Sequence, residues 1–262
     1  MRHSRTMLFL ALCCVPGSAN AQRGPGTDVD VDVTVVDARA VGNAVRLNFV
    51  IHNRRSSGER LFALTIPTPQ GAQAVTADAP PDRWLTISRY RGRAVAQWGA
   101  LGDEMQPGDT SPRLSYTASG VLGVTSAWVR GDVPPQPLPS EDTTNRVFHP
   151  EPDPVFDQGR AISVIGVVPT PSGGPSGMIG FLLEQIGYSC SASRWIAPSG
   201  VCNDLTARLS TASAALSRKD MQAAREALLG FVDELDAQRA KHVSENAYWL
   251  LHTDAVFLLR RM

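Results

Sequence analysis

Hydrophobic residues in the first half of the chain recur at every second position. Val29, Val31, Val33 and Val35 share one side of an extended backbone, with Asp28, Asp30 and Asp32 on the other. Val45, Leu47, Phe49 and Ile51 repeat the alternation after Gly42-Asn43, a turn signal. Further short strand-like runs follow at LFALTI (61–66), AQAVT (72–76), RWLTIS (83–88), RAVAQW (93–98), RLSYTA (113–118) and VTSAWVR (124–130), mostly separated by Gly, Pro, Asn or Asp. About eight short strands within ~100 residues predict an antiparallel β-sandwich. Trp84, Trp98 and Trp128 are read as its large core side chains, ahead of a sugar-stacking platform.

The pattern then changes. Residues 131–160 carry prolines at 134, 135, 137, 139, 150, 152 and 154, the composition of an extended connection. Ile162 to Val168 is one more short apolar run, and PTPSGGPSG (169–177) breaks the chain again. That Gly-rich stretch lacks a following Gly-Lys-Ser/Thr and is a loop, not a phosphate cradle. From Met178 the spacing is helical: Met178, Phe181, Leu182, Gln185 and Ile186 line one face. Asn203 is placed to cap a second helix bearing Leu205, Leu209, Ala212 and Leu216, and Asp220 a third bearing Met221, Ala224, Leu228, Phe231 or Val232, and Leu235. Ser244 caps a fourth that buries Leu251, Ala255 and Leu258, with Val243 and Tyr248 as a hydrophobic staple. The expected division is a sandwich at 22–133, a proline-rich linker at 134–160, and a short strand, loop and helical bundle at 161–262.

The start of the chain changes how its cysteines count. Arg2, His3 and Arg5 precede an apolar run (MLFLALCCV, 7–15) too short to span a bilayer, and Ala19-Asn20-Ala21 fits signal-peptidase cleavage. Residues 1–21 therefore read as an export signal, with a lipoprotein signal at Cys13 or Cys14 as the rival. No later segment has the length and apolarity of a membrane helix. Without the signal, four cysteines become two, Cys190 and Cys202, in a disulfide-permitting compartment. A bond between them would tie the first helix to the second. A core of ~80 helical residues is small enough to need such a tie. Losing Arg2 and Arg5 leaves 23 basic residues against 25 acidic, without a basic cluster, which argues against nucleic acid as a partner.

Two resemblances rest on these residues. Met105-Gln-Pro-Gly-Asp-Thr110 resembles the turn that precedes a strand in bacterial immunoglobulin-like accessory domains. Residues 203–255 resemble the FIMAH-type helical module of secreted bacterial proteins. Leu205, Ala207, Arg208 and Leu209 match its first block, and Asp220 its turn. Phe231, Val232, Leu235, Ala237, Gln238, Lys241, Val243 and Ser244 match the second block; Ala247, Leu250, Leu251 and Ala255 match the third. RWIAPSGVC (194–202) is similar to the phrase that often precedes it. The chain departs from the pattern at Arg218-Lys219 and at Ala240, where the family has glycine. The resemblance implies a C-terminal accessory domain of an exported protein, and it brings no catalytic residues.

The residues themselves offer little chemistry. A calcium loop beginning at Asp28 would need Gly at its sixth position and Glu at its twelfth, which here are Val33 and Arg39. Asp28, Asp30 and Asp32 are therefore read as the outer face of a strand, with a calcium site as the alternative. Such a row is unfavourable unless an arginine or a cation faces it. His52, His149, His242 and His252 form no zinc spacing. Gly187-Tyr-Ser-Cys-Ser191 falls short of a nucleophile elbow. The expectation is an exported, non-catalytic binding or structural protein that engages envelope polysaccharide or another exported protein, with contacts on sandwich loops such as Asn53–Gly58. A small secreted hydrolase is the competing reading.

Overall fold

The computed structural model describes residues 26–78, 83–90, 92–100, 104–132 and 159–262. The expected signal at 1–21 and nearly all of the connection at 134–160 lie outside them.

Nine strands form two antiparallel sheets among the described residues. They are β1 (Val31–Val41), β2 (Ala44–Asn53), β3 (Leu61–Pro67), β4 (Gln73–Ala77), β5 (Trp84–Tyr90), β6 (Arg93–Ala100), β7 (Leu114–Ser119), β8 (Val121–Gly131) and β9 (Arg160–Val168). One sheet runs β1-β2-β7-β4 and the other β5-β6-β3-β8-β9. The alternation sets the inner face: Val35, Val45, Leu47, Phe49 and Ile51 are buried between the sheets, opposite Leu64, Ile66 and Ala96. Trp98 forms the centre, with Phe49 edge-on at 5.0 Å and Tyr116 at 5.9 Å. The Tyr116 hydroxyl accepts the Val167 N–H (3.0 Å), so one sheet is pinned to the other. Gly166 leaves the room this needs, because a Cβ there would meet Ile66 and Tyr116.

Two sequence readings are corrected here. Only Trp98 of the three tryptophans is fully buried; Trp84 packs partly against the core. Trp128 is half-buried between inward-facing Ala127 and Val129, so strand parity turns it to the opposite face. The apolar run after the connection, grouped by sequence with the helices, is β9, paired residue by residue with β8 from Val121↔Val168 to Val129↔Arg160.

Four helices follow: α1 (Gly174–Ser191), α2 (Ser199–Ser217), α3 (Met221–Gln238) and α4 (Glu245–Leu259). Asp220 and Ser244 are caps as expected, accepting from Ala223 N (3.0 Å) and Ala247 N (3.3 Å). Asn203 is not a cap. Pro198 occupies that position, α2 begins four residues earlier, and Asn203 lies on its exposed side. Proline's fixed φ favours a helix start, and this outweighs the side-chain capping signal. Leu182, Leu205, Leu209, Leu228, Phe231, Leu235 and Leu251 build the helical core.

The two cores meet. Leu250 of α4 is buried among the sandwich residues, and Val121 of β8 among the helical ones. Trp195 and Trp249 pack against both.

Candidate functional site

The acidic row is organised around an arginine. Arg54, just past the end of β2, forks onto Asp32, with Nε at 2.6 Å from Oδ2 and a second contact from Nη2 to Oδ1. Its Nη1 lies 3.4 Å from Asp30, and Arg160 approaches the same carboxylate at 3.8 Å. The Ser56 hydroxyl bonds Asp30 (2.9 Å), and this bond, with Arg54 and Arg160, lowers the Asp30 pKa. Asp28 sits over Gly58, where a Cβ would fall 1.9 Å from its carboxylate oxygen. Among the described residues, no group of three or more His, Cys, Asp or Glu side chains is placed to hold a metal ion.

Of the loop expected to offer contacts, Asn53 and Ser57 are turned inward, while Arg54, Arg55, Ser56 and Gly58 are exposed. Asn53 is fully buried, with its amide donating to Met105 O (2.9 Å) and Glu59 O (3.3 Å). Ser57 donates to Asp30 O and accepts from Asp30 N. The Met105–Thr110 turn rests on the same residue, since Gly108 N donates to Asn53 O and Asn53 N to Asp109 O. These bonds hold the entering strand β1 in place.

Cys190 and Cys202 form the disulfide between α1 and α2. Ser189, the residue of the near-elbow, is fully buried. His52 contacts the Thr110 hydroxyl at 3.2 Å.

The chemically richest surface lies where β1 meets α4. An open cleft of about 350 Å³ is lined on one side by Asp37, Ala38, Arg39 and Ala40, and on the other by Trp249, His252, Thr253, Val256 and Arg260. A β-bulge between Val35 and Asp37 sets the first wall. It shifts the parity of β1, so that Val33 and Val35, then Ala38 and Ala40, direct their unpaired backbone groups at α4. Asn246 takes the first pair: its Oδ1 accepts from Val35 N (2.8 Å) and its Nδ2 donates to Val33 O (3.1 Å). Thr253 donates to Ala38 O (3.4 Å) and Arg260 to Ala40 O (3.3 Å). The outer edge of the sheet is thus closed by a helix. β8 is met in the same way: Asp254 accepts from Leu122 N (2.9 Å) and Gln185 from Val124 N (3.3 Å). Asp254 is fully buried with Oδ2 unpartnered, and burial raises its pKa well above the carboxylate range.

Behind the cleft, Trp249 is held rigidly. Its Nε1 donates to Glu245 (3.0 Å), and the Arg239 guanidinium lies 4.7 Å from its ring and 4.1 Å from that of Tyr248. Arg239 grips Glu245 through two bonds of 3.0 and 2.7 Å, which lowers the Glu245 pKa. The Tyr248 hydroxyl donates to Asp236 (2.8 Å), and burial, reinforced by that carboxylate, pushes its pKa up to about 12. His252 stacks on Tyr248 at 4.9 Å; burial lowers its pKa, although Asp236 at 3.8 Å acts against that. The imidazole is therefore neutral near pH 7, able both to donate and to accept.

Sequence patterns did not single out this surface. Trp249, Asn246 and Asp254 read as ordinary members of an amphipathic helix, and only docking against β1 and β8 gives them roles. The signal available was Asp254 itself, a carboxylate beside Ala255 on the apolar face of α4.

Residues 189–260 match the model of the FIMAH domain. That span runs from the end of α1 to the last residues of α4 and includes both disulfide cysteines. Among solved structures, the chain is similar to an uncharacterised protein from Nocardia farcinica whose crystal structure shows an immunoglobulin-like fold. The identity is 19% and the TM-score 0.30, over 53% of this chain and 98% of that one. At that score the likeness carries no argument, and the sandwich rests on the strand pairing above. No curated protein matches the chain. The disulfide and the FIMAH match are consistent with an exported protein, and among the described residues no helix is long and apolar enough to cross a membrane.

Proposed function

From a FIMAH domain set against a β-sandwich, we propose an exported, non-catalytic accessory protein that binds an envelope polysaccharide or another exported protein. One observation carries the reading. A cleft made by both modules brings together a half-buried tryptophan and histidine with two exposed arginines and an aspartate, but no nucleophile paired with a base. Thr253, the one hydroxyl lining it, is buried and donates to a backbone carbonyl. The expected test is retention of native envelope or secreted components by residues 22–262, in calcium and in chelator. Specific retention in both supports the reading, and loss in chelator makes the binding metal-dependent and reopens Asp28, Asp30 and Asp32 as candidate ligands. A blank in both conditions refutes it.

The His252–Asp236 pair is the observation that favours a hydrolase instead. That alternative requires turnover on an ester or glycan panel that disappears in His252→Ala.

A further inference from the structure

Building on the binding reading, we infer that the cleft between β1 and α4 is a subsite for an acidic saccharide, a pyranose bearing a carboxylate. The volume, about 350 Å³, lies at the low end of small-molecule sites. A half-buried tryptophan lines it, and its ring is fixed by the bond to Glu245 and by the Arg239 guanidinium. A rigid aromatic surface suits the apolar face of a sugar ring, and it loses little entropy on binding.

The charge around the ring selects the ligand. Arg39 and Arg260 stand on opposite walls and both are exposed. The one carboxylate lining the cleft, Asp37, already accepts from Arg39 (3.2 Å) and from the Asn48 amide (3.2 Å). With Arg39 held on Asp37, the lining keeps one net positive charge, carried by Arg260, whose fork matches a carboxylate in shape as well as in sign. The neutral His252 offers a further donor and acceptor for ring hydroxyls.

An extended peptide is disfavoured by the same geometry. Peptides join a sheet edge through backbone bonds, but on β1 those groups are taken by Asn246, Thr253 and Arg260. The two walls come from residues 37–40 and 249–260, so the subsite exists only while the helices are docked on the sandwich. This gives the pairing of the modules a purpose that neither has alone.

The experiment is calorimetric titration of residues 22–262 with tetrasaccharides of galacturonate, mannuronate and alternating glucuronate, against neutral maltotetraose. At least one uronate is expected to bind, and at least tenfold more tightly than the neutral chain. The variants Arg39→Glu and Arg260→Glu, shown by thermal melting to be folded, are expected to weaken it at least tenfold. Unchanged affinity in both variants would place saccharide binding elsewhere and overturn the subsite while leaving the binding function intact. Failure of every uronate, with envelope proteins still retained in the pull-down, would overturn the saccharide and keep the binding function. A blank in titration and pull-down alike removes both.

Discussion

Lys219 and Ala240 adopt φ of 62° and 59°, the left-handed region that side chains other than glycine occupy at a cost. They are the positions at which the chain departs from the glycines of the FIMAH pattern. Each turn takes the left-handed geometry with a residue less suited to it than glycine. Ala240→Gly and Lys219→Gly are each expected to stabilise the protein by about 1 kcal/mol, read as a higher midpoint in denaturant. Asp254 carries the opposite kind of tension. Its folded pKa lies well above the usual 3.8, so the folded protein keeps a proton that the unfolded chain has released. Stability should then fall as pH rises from about 4 through the folded value, with a slope of about 1 kcal/mol per pH unit over that window. Asp254→Asn keeps an acceptor for Leu122 N and cannot ionise. Urea melts between pH 5 and 8 should show its stability rising relative to the parent. Glu245 works the other way: its lowered pKa contributes stability above the usual 4.5, lost as pH falls through the folded value.

Most elements could be read from periodicity, because each has an apolar side whose spacing is set by its own geometry. Eight strands and the four helical faces fall where the spacing puts them. What periodicity could not supply were features decided by partners. Trp128 is aromatic, but its strand places it on the outer face. Asn203 has the chemistry of a cap, yet Pro198 starts the helix before it. β9 is separated from the other strands by the proline-rich stretch, so periodicity shows a strand there but not its sheet, and only its pairing with β8 does so. The cleft was hidden for the same reason, since its residues lie on two elements far apart in sequence. The disulfide could be read, because two cysteines remain after the expected signal. With its partners 12 positions apart in the sequence, it should contribute roughly 3 kcal/mol by limiting the unfolded chain. The paired substitution Cys190→Ser, Cys202→Ser should lower the stability of the helical part by that amount, followed by calorimetry.

The molecule as a whole behaves as two modules sharing one boundary. A sandwich residue is buried among helices and a helical residue within the sandwich, and five side chains meet strand backbone across the join. Asn246 makes two of those bonds. Replacing it with alanine leaves Val35 N–H and Val33 C=O without partners, at about 2 kcal/mol. The expected outcome is that one cooperative melt becomes two, seen as separate sandwich and helix transitions in circular dichroism. A single unshifted transition would show that apolar contact alone holds the modules together.

The Asn246 bonds link residues more than 210 positions apart: the first strand among the described residues is closed by the last of the described helices. Without α4, the outer edge of β1 is a row of unpaired backbone groups, a template for pairing with another chain. Contacts of such range make for slow folding, because the loop between them must close before they form. Removing the last twenty residues takes away Asn246, Thr253 and Arg260 together, and is expected to leave that edge open to pairing with other copies, read as aggregation by light scattering.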